Sequence, residues 1–262
     1  MITMTIIACI LMYIQAKKII IKKVEADIGV KIILLSDLHF NTVLVKHDKI
    51  LRAVEQSQPE VIAITGDLCN SLKKFYRVED FLKKLSEQNQ CPILVTLGNH
   101  DNEIFEKTGY NKADYIAKIE KFAKNIHVLE NEKYVYNDVM FCGLGDVKSN
   151  KEDCNGITLK WQEEARESGR KFVVLTHNPD MVLNFSEEVK PNIMLSGHTH
   201  GGQMKMPFNI EFALLKKDVL PKRKIYYGEH IYNGKKMYIT SGIGCSALPF
   251  RLFSTAEVAV IK

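Results

Sequence analysis

Closely spaced cysteine pairs are missing from this chain. Its six cysteines, Cys9, Cys69, Cys91, Cys142, Cys154 and Cys245, form no C-x-x-C pair, which argues against a zinc ribbon or a thioredoxin-like redox centre. Several lie in apolar runs, as Cys142 does in Met140-Phe141-Cys142-Gly143-Leu144. Thiols in such settings read as buried, free and held in a reducing compartment. A strong charge of one sign is also lacking. The net charge is +5 over 262 residues, too mild for a dedicated nucleic-acid binder. No basic stripe is interleaved with aromatics, so no path for a single-stranded nucleic acid is indicated. Internal repeats, low-complexity tracts and long linkers are absent. No apolar run reaches the roughly 20 residues of a comfortable membrane-spanning helix.

What is present is an ordinary globular mix, 46% hydrophobic and 26% charged, in a chain long enough to bury a core without disulfides. Its first feature is the apolar run Ile2 to Ile14, followed by Lys17, Lys18, Lys22 and Lys23. No basic residue precedes the run and no small-x-small cleavage site follows it, unlike a signal peptide. Residues 1–16 are read as an N-terminal membrane anchor, 17–29 as a basic juxtamembrane segment and 30–262 as the globular domain. Lysines on the C-terminal flank of the run favour a cytoplasmic body. An atypical export signal and a soluble N-terminal helix or strand are the alternatives.

From residue 30 the chain settles into short, β-branched apolar runs that end in polar residues. Val30 to Leu35 ends at Ser36-Asp37, Val61 to Thr65 at Gly66-Asp67, and Ile93 to Leu97 at Gly98-Asn99-His100-Asp101. Phe172 to Thr176 ends at His177, and Ile193 to Ser196 at Gly197-His198. Continuous apolar runs of this length are strands buried on both faces. The stretches Asp48–Gln58, Val78–Gln88 and Lys112–Lys124 carry apolar residues at helical spacing between the earlier runs. Strand alternating with helix predicts a layered α/β fold. The closely spaced runs Lys133–Gly143, Met237–Ser241 and Glu257–Ile261 suggest a second, mixed or antiparallel sheet. The expected architecture is a four-layer α/β/β/α sandwich.

Five strand ends carry metal-type ligands, and ligands of open α/β sheets bind beyond the carboxyl ends of strands. Of eight histidines, five fall at these ends, and His47, His127 and His230 do not. Carboxylate, amide and imidazole donors without thiolate suit manganese, iron, zinc or cobalt in a reactive site rather than a structural zinc. The alternate-residue pairs Asp37-x-His39 and His198-x-His200 would put both ligands on one side of an extended segment. Neighbouring Gly66, Gly98, Gly197, Gly201 and Gly202 would let the backbone turn sharply beside them.

Taken together, Asp37-x-His39, Gly66-Asp67, Gly98-Asn99-His100-Asp101, His177 and Gly197-His198-x-His200 resemble the full motif set of the calcineurin-like metallophosphoesterases. The likeness runs from about Lys31 to the C-terminus, with no ligand position substituted. It implies two divalent metal ions, one held by Asp37, His39 and His200 and the other by Asn99, His177 and His198, with Asp67 bridging. Such a pair clamps a phosphoryl group and makes hydroxide available near neutral pH. His100 is then left to stabilise the transition state or protonate the leaving group, with Asp101 orienting its ring.

The substrate is less legible, because fold does not name it. The stretch Gln203 to Tyr227 mixes apolar residues such as Met206, Phe208 and Phe212 with Lys216, Lys217, Lys222, Arg223 and Lys224. That mixture suits an anionic lipid interface. In Ser241-Gly242-Ile243-Gly244, the glycines could let backbone approach the site, and Arg251 could fork onto a phosphate. With Gly201-Gly202-Gln203, Leu248-Pro249-x-Arg251 and the apolar N-terminus, the chain resembles membrane-associated bacterial phosphodiesterases, some related to UDP-2,3-diacylglucosamine pyrophosphatases. The expected substrate is a phosphodiester or pyrophosphate in a lipid-linked or nucleotide-linked molecule, met at a membrane surface. A nuclease or small-nucleotide phosphodiesterase and a non-catalytic scaffold are the alternatives.

Overall fold

The computed structural model describes residues 2–147, 153–205 and 218–262. Helix α1 (Ile2–Gln15) leads into strand β1 (Ile19–Val24). Strands β2 (Ile32–Leu35), β3 (Val61–Thr65) and β4 (Ile93–Thr96) are buried at every residue. They run parallel, with Ile33 opposite Ile62 and Ile62 opposite Ile93, and β5 (Ile126–Val128) continues the sheet. Helices α2 (His47–Ser57), α3 (Phe75–Gln88), α4 (Asn99–Thr108) and α5 (Lys112–Glu120) lie in the connections. Asn111 caps α5 by accepting from Ala113 N and Asp114 N, which satisfies donors the first turn leaves free.

The second sheet starts with the hairpin β6 (Glu132–Tyr136) and β7 (Val139–Gly143). Helix α6 (Cys154–Glu167) leads to β8 (Lys171–Leu175), β9 (Ile193–Ser196) and the hairpin β10 (Gly228–Tyr232) and β11 (Lys235–Ile239). Its order is β10-β11-β9-β8-β7-β6, with a parallel centre and antiparallel edges. The last strand, β12 (Ala256–Ile261), departs from expectation. It joins the first sheet, antiparallel to β2, giving the order β1-β12-β2-β3-β4-β5. Its burial at every residue suits a central position. The segment 17–29, expected to lie outside the domain, instead supplies β1, which pairs parallel to β12.

Strand alternation sorts the apolar residues into three layers, because successive side chains point to opposite faces. Ile32, Leu34, Val61, Ala63 and Leu94 face Phe141, Val173, Leu175 and Leu195 between the sheets. Ile33, Leu35, Ile62, Ile64 and Val95 face Val54, Leu82 and Ile119 of the helices. On the outer face of the second sheet, Met140, Cys142, Val174 and Met194 meet Cys154 and Ala165 of α6. The four-layer α/β/β/α sandwich follows from these three interfaces. Phe141→Ala, which empties the layer between the sheets, is expected to cost about 3–5 kcal/mol. A urea titration would read it as a lower midpoint at an unchanged slope, and an unchanged midpoint would contradict this packing.

Candidate metal centre

The strand ends β2, β3, β4, β8 and β9 deliver their polar residues to one crevice. Asp37, His39, Asp67, His198 and His200 have φ between 42° and 69°, the left-handed region that L-residues rarely occupy. The pairs Asp37-x-His39 and His198-x-His200 are therefore left-handed turns, not the extended segments expected. Such strain persists only where the surroundings over-determine it. Here Asp37 N donates to Gly66 O at 3.0 Å, His39 N to Asp67 O at 2.9 Å and Gly244 N to Asp37 O at 2.7 Å. His198 N donates to Asp37 Oδ2 at 2.9 Å. A side chain on Gly98 would collide with Asp67 Oδ1, and one on Gly242, where φ is +63°, with Asp37.

Seven expected ligands come together. His39 Nε2 and His200 Nε2 face each other at 3.2 Å. His200 Nε2 lies 3.4 Å from Asp37 Oδ1, and His39 Nε2 lies 3.5 Å from Asp67 Oδ2. On the other side, His177 Nε2 lies 3.3 Å from the same Asp67 oxygen. It also lies 3.2 Å from Asn99 Oδ1 and 3.1 Å from His198 Nδ1. Asp67 Oδ2 is thus common to two nests of donors.

The outward nitrogens settle which way the lone pairs point. His177 Nδ1 donates to Thr65 O at 2.8 Å, His39 Nδ1 to Asn70 Oδ1 at 2.7 Å and His198 Nε2 to Asp218 Oδ2 at 3.1 Å. Oxygens of these kinds only accept, so the inward nitrogens of these histidines present lone pairs. Asp37 Oδ1 is buried with no hydrogen-bond partner. Lone pairs and an orphaned carboxylate oxygen converging out of water fit divalent cations. Burial works against charge on His177, yet the carboxylate of Asp67 raises its pKa to about 10. Burial likewise works against charge on Asp67, but His177, His39 and His100 hold its pKa well below the usual range.

His100 sits at the edge of this cluster, with its side chain 25% exposed. Its ring meets that of His39 edge-on at 5.1 Å, and its backbone N donates to Asp67 Oδ1 at 2.9 Å. It lies in the first turn of α4, a helix that the strand-end reading did not anticipate. Asp101 does not orient the His100 ring. It is fully buried and accepts from Leu68 N, Gly98 N and Tyr115 Oη at 3.2, 3.0 and 3.1 Å. Its carboxylate ties the loop after β3 to the start of α4, and the carboxylate near His100 Nδ1 is instead that of Glu103, at 3.6 Å. Burial, with the charge of Asp67, pushes the Asp101 carboxyl up to about 6.

Arg251 requires a second correction. Expected to bind phosphate, it is fully buried. Its guanidinium donates to the carbonyls of Ser241, Gly244 and His200 at 2.9, 2.6 and 3.4 Å. Its fork has been spent on backbone, so it clamps the His200 turn to the glycine loop behind Asp37. Among the other expectations, Gly242 and Gly244 do press against Asp37 and His39. Residues 206–217, which carry Met206, Phe208, Phe212, Lys216 and Lys217, lie outside the described residues. His47 packs against Phe40 and Phe81, away from the cluster. Asp218 and Asn70 went unread in the sequence; Asp218 is 20 positions from the His198 it holds, and no local pattern marks it.

The family model for calcineurin-like phosphoesterases matches residues 30–202, a span that contains all seven expected ligand positions. The chain belongs to the calcineurin-like phosphoesterase family. It is a metal-dependent phosphoesterase, and these enzymes use two divalent metal ions. The chain is 26% identical over 237 residues to the metallophosphoesterase YkoQ of Bacillus subtilis, covering 86% of this chain and 80% of the relative. It is 29% identical over 241 residues to the phosphodiesterase YaeI of Escherichia coli, covering 88% and 81%. It spans 60% of the length of matching Helicobacter pylori metallophosphoesterases. A dimetal phosphatase from Danio rerio shares the fold, with a TM-score of 0.50 at 11% identity, covering 90% of this chain and 99% of that one.

Two substitutions probe how this calcineurin-like phosphoesterase supports its donors. Asp218→Asn loosens the ring of His198, and a calorimetric titration with Mn²⁺ should show affinity falling about 10- to 100-fold at one of two sites. Unchanged affinity at both would remove Asp218 from the support. Arg251→Lys should lower the thermal midpoint and metal retention, since an ammonium cannot fork across the same carbonyls. If it raised KM alone at unchanged stability, the phosphate-binding role would return.

Proposed function

We propose that this phosphoesterase hydrolyses a phosphodiester or pyrophosphate bond in a lipid-linked or nucleotide-linked molecule, in the manner of a UDP-2,3-diacylglucosamine hydrolase. The single observation behind the reading is Asp67 Oδ2, within 3.5 Å of His39 Nε2 and 3.3 Å of His177 Nε2. A carboxylate between two nests of lone pairs suits a bridging ligand. Asp37, His39 and His200 would hold one ion, Asn99, His177 and His198 the other, and Asp67 both. Two divalent ions supply Lewis acidity toward the phosphoryl oxygens and make hydroxide available from water near neutral pH.

The chain's own groups do the rest. Asn70, Thr65 O and Asp218 lock three histidine rings in the tautomer that keeps lone pairs inward. The first turn of α4 turns its positive end to the crevice, which favours an anionic ester there. His100, partly exposed beside His39, is the group able to reach a leaving oxygen and give it a proton. Glu103 Oε2 lies 3.6 Å from His100 Nδ1, three residues further along α4. Support for diester over monoester chemistry comes from the phosphodiesterase YaeI.

Turnover of bis(p-nitrophenyl) phosphate should require Mn²⁺ or a similar ion, vanish with a chelator and return on adding metal back. His100→Gln should lower kcat by about 10²- to 10⁴-fold while metal content stays level. Near-normal turnover in that variant would remove His100 from the mechanism, and no turnover with any divalent ion would leave a scaffold. UDP-linked lipids should be cleaved in preference to oligonucleotides. The reverse preference would make the chain a nuclease.

A further inference from the structure

Helix α1 has apolar side chains facing water on several sides. Ile6, Ile7, Ile10, Leu11 and Ile14 are between 46% and 60% exposed. A helix apolar all round is normally covered by protein or lipid. The exposed surface does not stop at α1. Arg251 N donates to Met12 O at 3.2 Å, and Phe250 lines an apolar depression with Ile6, Cys9, Ile10 and Tyr13. On the same loop Leu248 is 53% and Phe253 76% exposed. Phe253 is also held at φ 55°, a costly conformation for a bulky residue that places its ring outward.

This apolar strip borders the metal centre. Gln203 Nε2 donates to Ser246 O and Leu248 O, and Thr42 Oγ1 donates to Cys245 O at 2.5 Å. A cavity of about 150 Å³ lies between Phe253, Ile20, Tyr227 and Lys205, with Gly201 beside ligand His200 in its wall. The surroundings are basic. Lys17, Lys18, Lys22 and Lys23 are all exposed, and Lys18 shares an open groove with Lys49 and Arg52. Apolar groups ringed by lysines complement a bilayer that carries anionic headgroups.

We infer that α1, Leu248 and Phe253 form one lipid-docking surface that seats the chain on an anionic bilayer, with the lysines at headgroup level. The mode is interfacial, and no helix among the described residues is long and apolar enough to cross a membrane. If the phosphoester reading holds, on which this consequence rests, acyl chains of a substrate stay in the bilayer while its phosphoryl group enters past Phe253 and Gly201.

The test is flotation of the full chain with vesicles of phosphatidylcholine alone or mixed with phosphatidylglycerol. Binding to the mixed vesicles, weakened by salt, is expected. Ile10→Ser and Phe253→Ser should each weaken it about tenfold, and Lys22→Glu about fivefold. Turnover of soluble bis(p-nitrophenyl) phosphate should be unaffected by Ile10→Ser and Lys22→Glu. A chain that binds neither vesicle, or binds both equally at all salt concentrations, overturns the proposal. So does a dimer in light scattering that Ile10→Ser dissociates, since a second copy would then cover the face. Vesicle binding by a chain that cleaves no phosphoester would support docking and remove only the hydrolase reading.

Discussion

Asp37 and Asp67 are buried together at one crevice, and carboxylates withdrawn from water must be met by positive charge or hydrogen bonds. Backbone donors meet part of the demand, through His198 N to Asp37 and His100 N to Asp67. Inward-turned imidazoles meet more, and divalent ions suit the remainder. The unusual backbone at the crevice follows from bringing these groups so close. Left-handed turns aim alternate side chains into the crevice. Glycines stand where a neighbouring loop leaves no space for a Cβ.

The sandwich makes that convergence sustainable. Both sheets send strand ends to the crevice, so neither half of the donor set exists without the other. Beneath it lies a second polar network. Glu257 accepts from Tyr238 Oη at 2.7 Å, Thr240 Oγ1 at 2.9 Å and Tyr227 Oη at 2.9 Å. Arg251 grips the carbonyls of the adjoining loop. Buried charges are tolerable when their hydrogen-bonding groups are engaged, and here they brace the turn that carries His200. Three apolar layers around the sheets keep this polar centre from relaxing.

On the proposed docking surface, delivery of a substrate would fall to parts of the chain outside the donor crevice. The donor crevice lies within the span that matches the family model. The rim is built from other parts: α1, the exposed face of β1 and the loop from Ser246 to Phe253. A family with one reaction centre and many substrates needs such a division.

The sequence alone determined the donor types, their order and the parallel core. Runs such as Val61 to Thr65 are too apolar and too short for anything but buried strands, and parallel strands must end their polar loops at the same edge. It also carried the helices α2, α3 and α5 through their apolar spacing. Tertiary structure alone decided the rest. Ile19–Val24 carries two lysines in six residues, so only its pairing with β12 makes it a strand. The run at Glu257–Ile261 reads alike in either sheet, and its register against β2 decides between them. Asp101, Asp218 and Arg251 are polar residues whose chemistry allows catalysis, support or phosphate binding. Their partners come from distant parts of the chain, and only packing fixes which atoms their side chains meet.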